Sequence, residues 1–360
     1  MSTPDARPPL REISYAEAIR EAYATVLERD QRVYLIGLGV PDVKGFFGTT
    51  SHLAEKFGAD RVMDMPCSEG GMTGIVLGSA LNGMRPVLNH QRLDFALLSM
   101  DQICTQAAKW HYMFGGIMKV PLVVRMILGR GWGQGPQHSQ SLHSWFAHIP
   151  GLKVAMPATA HDAKGMMIAA IEDDNPVVFI DHRWLHHVKG HVPTGHYTVP
   201  LDKARVARVG QDLTIVAFSY MVLEAIEAAA TLAALGIEAE VLDYRCLRPL
   251  DVDTLLASVR KTGRLIVADA AWSAAGMSAE ILALVAERAH GALKAAPKRV
   301  CVPDCPTPTS PALADHYYPR SGHIVAAART MFGLTADEED LAIPANVQLD
   351  KPNPAFTGPF

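Results

Sequence analysis

The sequence predicts an α/β protein built of two doubly wound domains. Short apolar runs alternate with amphipathic stretches of helical period through both halves. One of those runs, 120–128, is almost continuously apolar, as expected of a parallel strand covered on both faces. Between 182 and about 204 the alternation stops and His, Gly and Pro cluster, while the 360 residues exceed one ordinary domain.

The first element is an amphipathic helix over 15–29, opened by Ser14 with Glu17 three residues on. A short buried strand, 33–38, runs into a glycine and proline turn. A helix over 51–57 leads to a strand at 62–65. Ser68-Glu69-Gly70-Gly71 then opens a helix of small residues over 72–81. A strand at 86–90, a long helix over about 95–114 and the strand 120–128 follow. Beyond the glycine-rich loop 129–135 come a helix from about 141, a strand at 153–156, a helix over 161–172 and a strand at 177–181. The second unit has strands at 213–218, 239–243, 265–268 and 298–302, with helices near 222–235, 252–259 and 279–289 between them. The expected boundaries are 10–187 for the first domain, 188–204 for a linker and 205–335 for the second domain. A tail over 336–360, rich in Pro, Asp and Asn, wraps a surface or a partner. No repeat with a period of 20–50 residues is visible.

With 49% hydrophobic and 19% charged residues the chain can bury an ample core. A net charge of -4 supplies no global attraction to nucleic acid or an anionic membrane. No apolar run approaches the roughly 20 residues that cross a bilayer, and residues 1–11 lack the apolar core of a secretion signal. Cys67, Cys104, Cys246, Cys301 and Cys305 are scattered without a CxxC pair. Cys301 and Cys305 have no second pair or nearby histidines to complete a metal site, so a reduced, cytoplasmic protein without structural zinc is expected.

Three clusters can carry chemistry. Glu69 follows a strand and enters the first turn of a helix, where the macrodipole alone favours a carboxylate. The glycines Gly70 and Gly71 fit poorly with simple capping, because glycine is a poor helix former; close approach of a ligand ring to the backbone would explain them. His138 stands in a segment, 129–140, with four glycines and three glutamines beyond a buried strand, where parallel sheets place ligands. Flanked closely by Gln137 and Gln140, it suits either proton transfer or an ordinary loop position. Asn89-His90-Gln91-Arg92-Leu93-Asp94-Phe95 also follows a strand. There His90 and Arg92 suit an anionic substrate, or a solvated face, and Phe95 by itself reads as core. His182, His186, His187, His191 and His196 form a dense stretch, but no acidic or thiol ligands at suitable intervals complete a metal site. A substrate entrance or a subunit contact is the expectation for them. No Gly-Asp-Gly with a later asparagine, no phosphate loop and no dinucleotide fingerprint is present, so a diphosphate cofactor would be held elsewhere.

These segments resemble a known family. Ser68-Glu69-Gly70-Gly71-Met72, Gly83-Met84-Arg85-Pro86-Val87, Met100-Asp101-Gln102-Ile103, Gln137-His138-Ser139-Gln140 and His148-Ile149-Pro150-Gly151-Leu152-Lys153-Val154 occur in the order and approximate spacing of the beta subunits of pyruvate, branched-chain 2-oxo acid and acetoin dehydrogenases. Asp173-Asp174-Asn175-Pro176-Val177 and Leu247-Arg248-Pro249-Leu250-Asp251 extend the match, which covers roughly residues 10–335. The resemblance implies a pyrimidine-binding domain followed by a transketolase C-terminal-type domain. It implies that Glu69 hydrogen-bonds the aminopyrimidine of thiamine diphosphate and so promotes the imino tautomer that takes the thiazolium proton. It also implies that Phe95 packs on that ring beside Gly70 and Gly71, and that His138 steers the adduct or assists acyl transfer. Asp173 and Asn175 would belong to a monovalent cation site, such as one for K+, or serve as caps. The diphosphate and Mg2+ would be bound by an alpha subunit, in an assembly of two alphas and two betas.

The chain departs from the family at Gly70-Gly71-Met72, at Asn89-His90, at Gln91-Arg92 and at Ala268-Asp269-Ala270. These changes put polar and cationic groups beside the reaction centre. They suggest a substrate more polar than pyruvate, hydroxylated or phosphorylated, met by His90, Arg92 and Gln137. Transfer to lipoamide would add a lipoyl acyltransferase partner. Transfer to an aldehyde or carrier protein would make a split transketolase-like enzyme, and a non-catalytic scaffold subunit is the rival from another class.

Overall fold

The structure is a computed structural model and describes residues 11–129 and 133–335. Strand β1 (Arg11–Ser14) leads into helix α1 (Tyr15–Arg29). Ser14 Oγ accepts the Glu17 N–H at 3.2 Å and the Glu17 carboxylate accepts the Ser14 N–H at 2.8 Å, the reciprocal box read from the sequence. Then follow β2 (Val33–Ile36), α2 (Leu53–Phe57), β3 (Val62–Met63), α3 (Glu69–Leu81) and β4 (Arg85–His90). Next come α4 (Ala108–Met113), β5 (Val123–Leu128), α5 (His143–His148), β6 (Lys153–Ala155), α6 (Ala160–Glu172), β7 (Val177–His182) and β8 (Lys189–Val192). The second half holds β9 (Arg205–Arg208), β10 (Leu213–Ala217), α7 (Met221–Ala234), β11 (Ala239–Asp243), β12 (Cys246–Arg248) and α8 (Val252–Thr262). It continues through β13 (Leu265–Trp272), α9 (Met277–Ala289), β14 (Lys298–Val302), α10 (Pro311–Ala314) and α11 (Ser321–Met331).

The first sheet runs β12-β6-β7-β5-β4-β2-β3, parallel except for β12. Strand alternation sorts its side chains onto two faces. Val87, Val123 and Val177 pack with α1 and α6, whereas Leu88, Val124 and Val178 join a core shared with the second domain. The second sheet, β14-β13-β10-β11-β9, is parallel except for β9. Among the described residues no helix is long and apolar enough to cross a membrane.

Four features depart from the sequence reading. The helix expected over 95–114 is a 3-10 turn, Leu93–Ser99, then a π-helical stretch, Asp101–Ala107, and only then α4. One segment is wound tighter and the next looser than an α-helix, so the apolar residues keep nearly helical spacing in the sequence. The stretch over 182–204 is not featureless: β8 pairs antiparallel with β1, and its partly exposed pattern hides the alternation. Strand β12 was missed because three residues carry no period, yet it crosses from the second half to the edge of the first sheet. Helix α11 was also missed; it packs on α7. The expected tail, 336–360, and residues 130–132 of the glycine-rich loop lie outside the described residues.

The histidines of the 182–196 stretch disperse. His182 and His186 are buried, and His187, His191 and His196 are exposed. Among the described residues no cluster of His, Cys, Asp and Glu could hold a metal ion. His186 Nε2 donates to Asp181 at 2.6 Å, and His196 pairs with Glu172 at 2.7 Å. His186 is thus part of the buried core.

Candidate active site

The site residues stand where β3, β4 and β5 end, the edge of a parallel sheet at which ligands bind. Beneath that edge lies a fully buried polar network. Arg125 on β5 donates twice to Asp181 on β7, at 2.9 and 2.7 Å, and once to Thr49 Oγ1 at 2.8 Å. The Arg125 guanidinium and the His186 bond hold the Asp181 carboxyl down at about 2 against the opposing effect of burial. His186 is instead pushed down to about 4 by burial and is neutral near pH 7. Asn89 Oδ1 accepts the Tyr23 hydroxyl at 2.9 Å, tying β4 to α1. A charge pair this deep contributes little net stability, but it fixes the register of the strand ends.

Glu69 is the first residue of α3 and only 7% exposed. Among the described residues its carboxylate has no cationic partner, and its one side-chain hydrogen bond is from the Cys67 thiol at 4.0 Å. A buried carboxylate so poorly matched calls for a donor. The helix start is locked by Thr73, whose hydroxyl bonds the Glu69 carbonyl at 2.7 Å and Ser99 Oγ at 2.8 Å. Gly70 has a protein reason as well: a Cβ there would lie 2.8 Å from the Leu98 carbonyl oxygen. At Gly71 the nearest atom to a Cβ is Ser68 Oγ, at 3.0 Å.

Phe95 follows β4 on the 3-10 turn, and its ring meets His138 edge to face, 5.5 Å between centroids. The loop bearing His138 is anchored by Asp94, whose Oδ1 accepts Gln140 Nε2 at 2.9 Å and the Gln140 N–H at 3.3 Å. Burial raises the Asp94 carboxyl above the usual range, while the Gln140 bonds and His138 oppose the rise. The same loop bears on the second domain through Gly135 and Thr309. Nearby, His143 Nε2 lies 3.3 Å from Asp269, both 1% exposed, across the domain boundary.

Of the expected substrate residues, His90 is buried at the end of β4, and burial pushes it down to about 4. Arg92 is half-buried with its guanidinium over the Phe47 ring at 5.3 Å. Gln137 is exposed on the loop. Asp173 and Asn175 sit apart, between α6 and the start of β7, at the opposite end of the sheet from Glu69. The Asp173 carboxylate accepts the Asn175 N–H at 2.9 Å and pairs with Lys153.

Polar atoms without partners concentrate around this edge. His90 Nε2, Arg92 Nη1, Asp94 Oδ2, Gln102 Oε1, Gln134 Oε1 and Ser139 Oγ are all buried with no hydrogen bond among the described residues. The sequence reading did not single out Asp94, Gln102 or Gln134, although each lies within or beside a quoted motif. An acid, an aromatic ring and unmatched donors and acceptors suit a flat heteroaromatic ligand bearing both donors and acceptors. The donor set therefore fits an aminopyrimidine.

The family model described as Transketolase, pyrimidine binding domain matches residues 11–187, and that described as Transketolase, C-terminal domain matches 202–324. The chain is 45% identical over 334 residues to the acetoin:2,6-dichlorophenolindophenol oxidoreductase subunit beta of Cupriavidus necator, covering 90% of this chain and 98% of that protein. It is 42% identical to the Bacillus subtilis subunit of the same description, covering 91% and 99%. It is 38% identical to the mitochondrial pyruvate dehydrogenase E1 component subunit beta of Dictyostelium discoideum, covering 89% and 91%. Among solved structures, a split gene transketolase described as an inactive beta4 tetramer is similar in fold, with a TM-score of 0.73 at 23% identity, covering 90% of this chain and 99% of that one.

Proposed function

Because the chain belongs to the transketolase-like family that includes the beta subunits of acetoin and pyruvate dehydrogenases, we propose that it is the beta subunit of a heteromeric 2-oxo acid dehydrogenase and carries the pyrimidine half of a thiamine-diphosphate site. The observation that carries the proposal is the unmatched, mostly buried Glu69 carboxylate at the start of α3, on the sheet edge that also presents the Phe95–His138 ring pair.

Thiamine diphosphate, when bound, supplies the electron sink that makes decarboxylation of a 2-oxo acid feasible. The protein's part is positional. Glu69 hydrogen-bonds the pyrimidine nitrogen through its carboxyl group, Phe95 packs the ring beside Gly70 and Gly71, and His138 gives or takes a proton at its imidazole near the substrate. Asp94, through Gln140, keeps the His138 loop against the strand end. His90, Arg92 and Gln137 face the substrate. An alpha subunit contributes the diphosphate and Mg2+ contacts in a cytoplasmic assembly of two alphas and two betas. A lipoyl acyltransferase takes the acyl group, and a K+ ion near Asp173 and Asn175 would have to share that carboxylate with Lys153.

Calorimetry with thiamine diphosphate and Mg2+, on this chain alone and co-expressed with its alpha partner, tests the proposal. Tight binding by the pair alone, with binding and 2-oxo acid turnover lost in Glu69→Ala, is the expected result. An assembled pair that binds no cofactor would refute it.

A further inference from the structure

A different cluster lies beside the Phe95–His138 pair. A Cβ at Gly129 would come within 2.3 Å of the His138 carbonyl, 2.9 Å of Gln134 Oε1 and 3.5 Å of Arg92 Cδ, so these groups pack around one point. Arg92 and Arg183 both place their guanidinium groups over the ring of Phe47, at 5.3 and 4.7 Å. Phe47 itself has φ of 51°, a left-handed conformation that a bulky residue rarely adopts. Backbone strain of this kind, persisting in the turn between β2 and α2, points to a positional role for the ring.

Both oxygens of Asp181 are engaged by Arg125, and one also accepts from His186. Asp94, whose charge partly offsets the effect of burial on Arg92, turns one oxygen to Gln140. Arg92 Nη1 is buried and makes no hydrogen bond among the described residues. Burial pulls both Arg92 and Arg183 below the ordinary guanidinium range, and for Arg183 the positive charge of Arg92 adds to the effect. An anion on Arg92 would relieve both the unmatched donor and the repulsion between like charges.

Resting on the thiamine-diphosphate reading above, we propose that Arg92, braced on Phe47 beside Arg183, selects a second anionic group on the substrate. The substrate class is then a 2-oxo acid with a distal carboxylate or phosphate. Arg92 acts on specificity alone; proton transfer stays with His138.

The test uses the enzyme co-expressed with its alpha partner and dye-linked turnover of isosteric substrates. 2-Oxoglutarate and 2-oxopentanoate share a five-carbon chain and differ in the distal carboxylate, and 2-oxo-4-phosphonobutanoate supplies the phosphate-like arm. The wild type should favour one dianion over 2-oxopentanoate by on the order of 10- to 100-fold in kcat/KM, the range of a hydrogen bond to a charged group. The favoured arm identifies the anion. Arg92→Met should raise KM for the dianion by that factor and collapse the preference over 2-oxopentanoate, and Arg92→Lys should partly restore that preference. Equal handling of all three substrates by the wild type, or equal losses in Arg92→Met, would overturn the subsite while leaving the thiamine-diphosphate reading intact. Absence of turnover with every 2-oxo acid, together with no cofactor binding, would overturn both.

Discussion

Gly70→Ala tests whether the start of α3 is set by contact with the 3-10 turn. The added Cβ would sit 2.8 Å from the Leu98 carbonyl oxygen, where ordinary contact begins near 3.4 Å. That oxygen belongs to backbone in the Leu93–Ser99 turn and cannot rotate away. Either the helix start or the turn must yield by about half an ångström. Overpacking of this kind costs about 1–3 kcal/mol, offset by at most about 1 kcal/mol of helix propensity. The net destabilisation is therefore modest, from about 0 to 3 kcal/mol. The functional loss should be larger, because Glu69 is the preceding residue and catalytic groups tolerate displacements of only about 0.5 Å. A fall of roughly 10-fold or more in turnover is expected, given that a 1 Å misplacement costs about 100-fold. Gly78→Ala in the same helix is the control: nothing lies within 4 Å of its Cβ, so it should gain about 0.5–1 kcal/mol and keep full activity. Thermal unfolding and turnover of the assembled pair read both variants. If Gly70→Ala matches Gly78→Ala in stability and rate, the contact does not position Glu69.

Three further outcomes follow from buried charges. His90 is held neutral with its pKa near 4, below the unfolded value of about 6.5, so the unfolded chain binds more protons between these values. Its contribution is intact above about pH 6.5 and roughly 3 kcal/mol is lost as pH falls to about 4; His90→Phe should flatten urea stability against pH over that window, and an unchanged slope would disprove the assignment. Arg125→Met strands Asp181 without its main partner and should cost about 3–5 kcal/mol in denaturant unfolding, with Arg125→Met combined with Asp181→Leu recovering much of the loss. His143→Leu leaves Asp269 buried at the domain boundary and should lower the unfolding midpoint, whereas Asp269→Asn in the same background should restore part of it.

Much of this architecture was legible in the sequence. Long elements with strong period, such as α1 with Ser14 and Glu17 or the apolar β5, reveal themselves because burial on one or both faces dictates residue type. Glu69, Phe95 and His138 are singled out by motifs, each beyond a strand that periodicity identifies, and the structure places all three at the same sheet edge. What was hidden depends on contacts between distant segments. The tight and loose winding over 93–107 follows the surface of α3, and no local residue announces it. The same holds for Asp94 and Gln102, whose unmatched oxygens are a property of the assembled edge and not of their neighbours in sequence. Gly70 was noticed for the right chemical reason, a backbone approached closely, but the approaching group in the chain is the Leu98 carbonyl.

Strand β12 makes the two halves of the chain interdependent. Cys246 and Arg248 pair with Ala155 and Val154, and Arg248 also donates to the Ala147 carbonyl at 3.0 Å, so residues from the second half complete the first sheet. A fragment ending near residue 200 would expose β6 as an unprotected edge, with free N–H and C=O groups offered to any passing strand. The first domain made alone should therefore self-associate, and during synthesis its sheet must wait for some fifty later residues before its border closes.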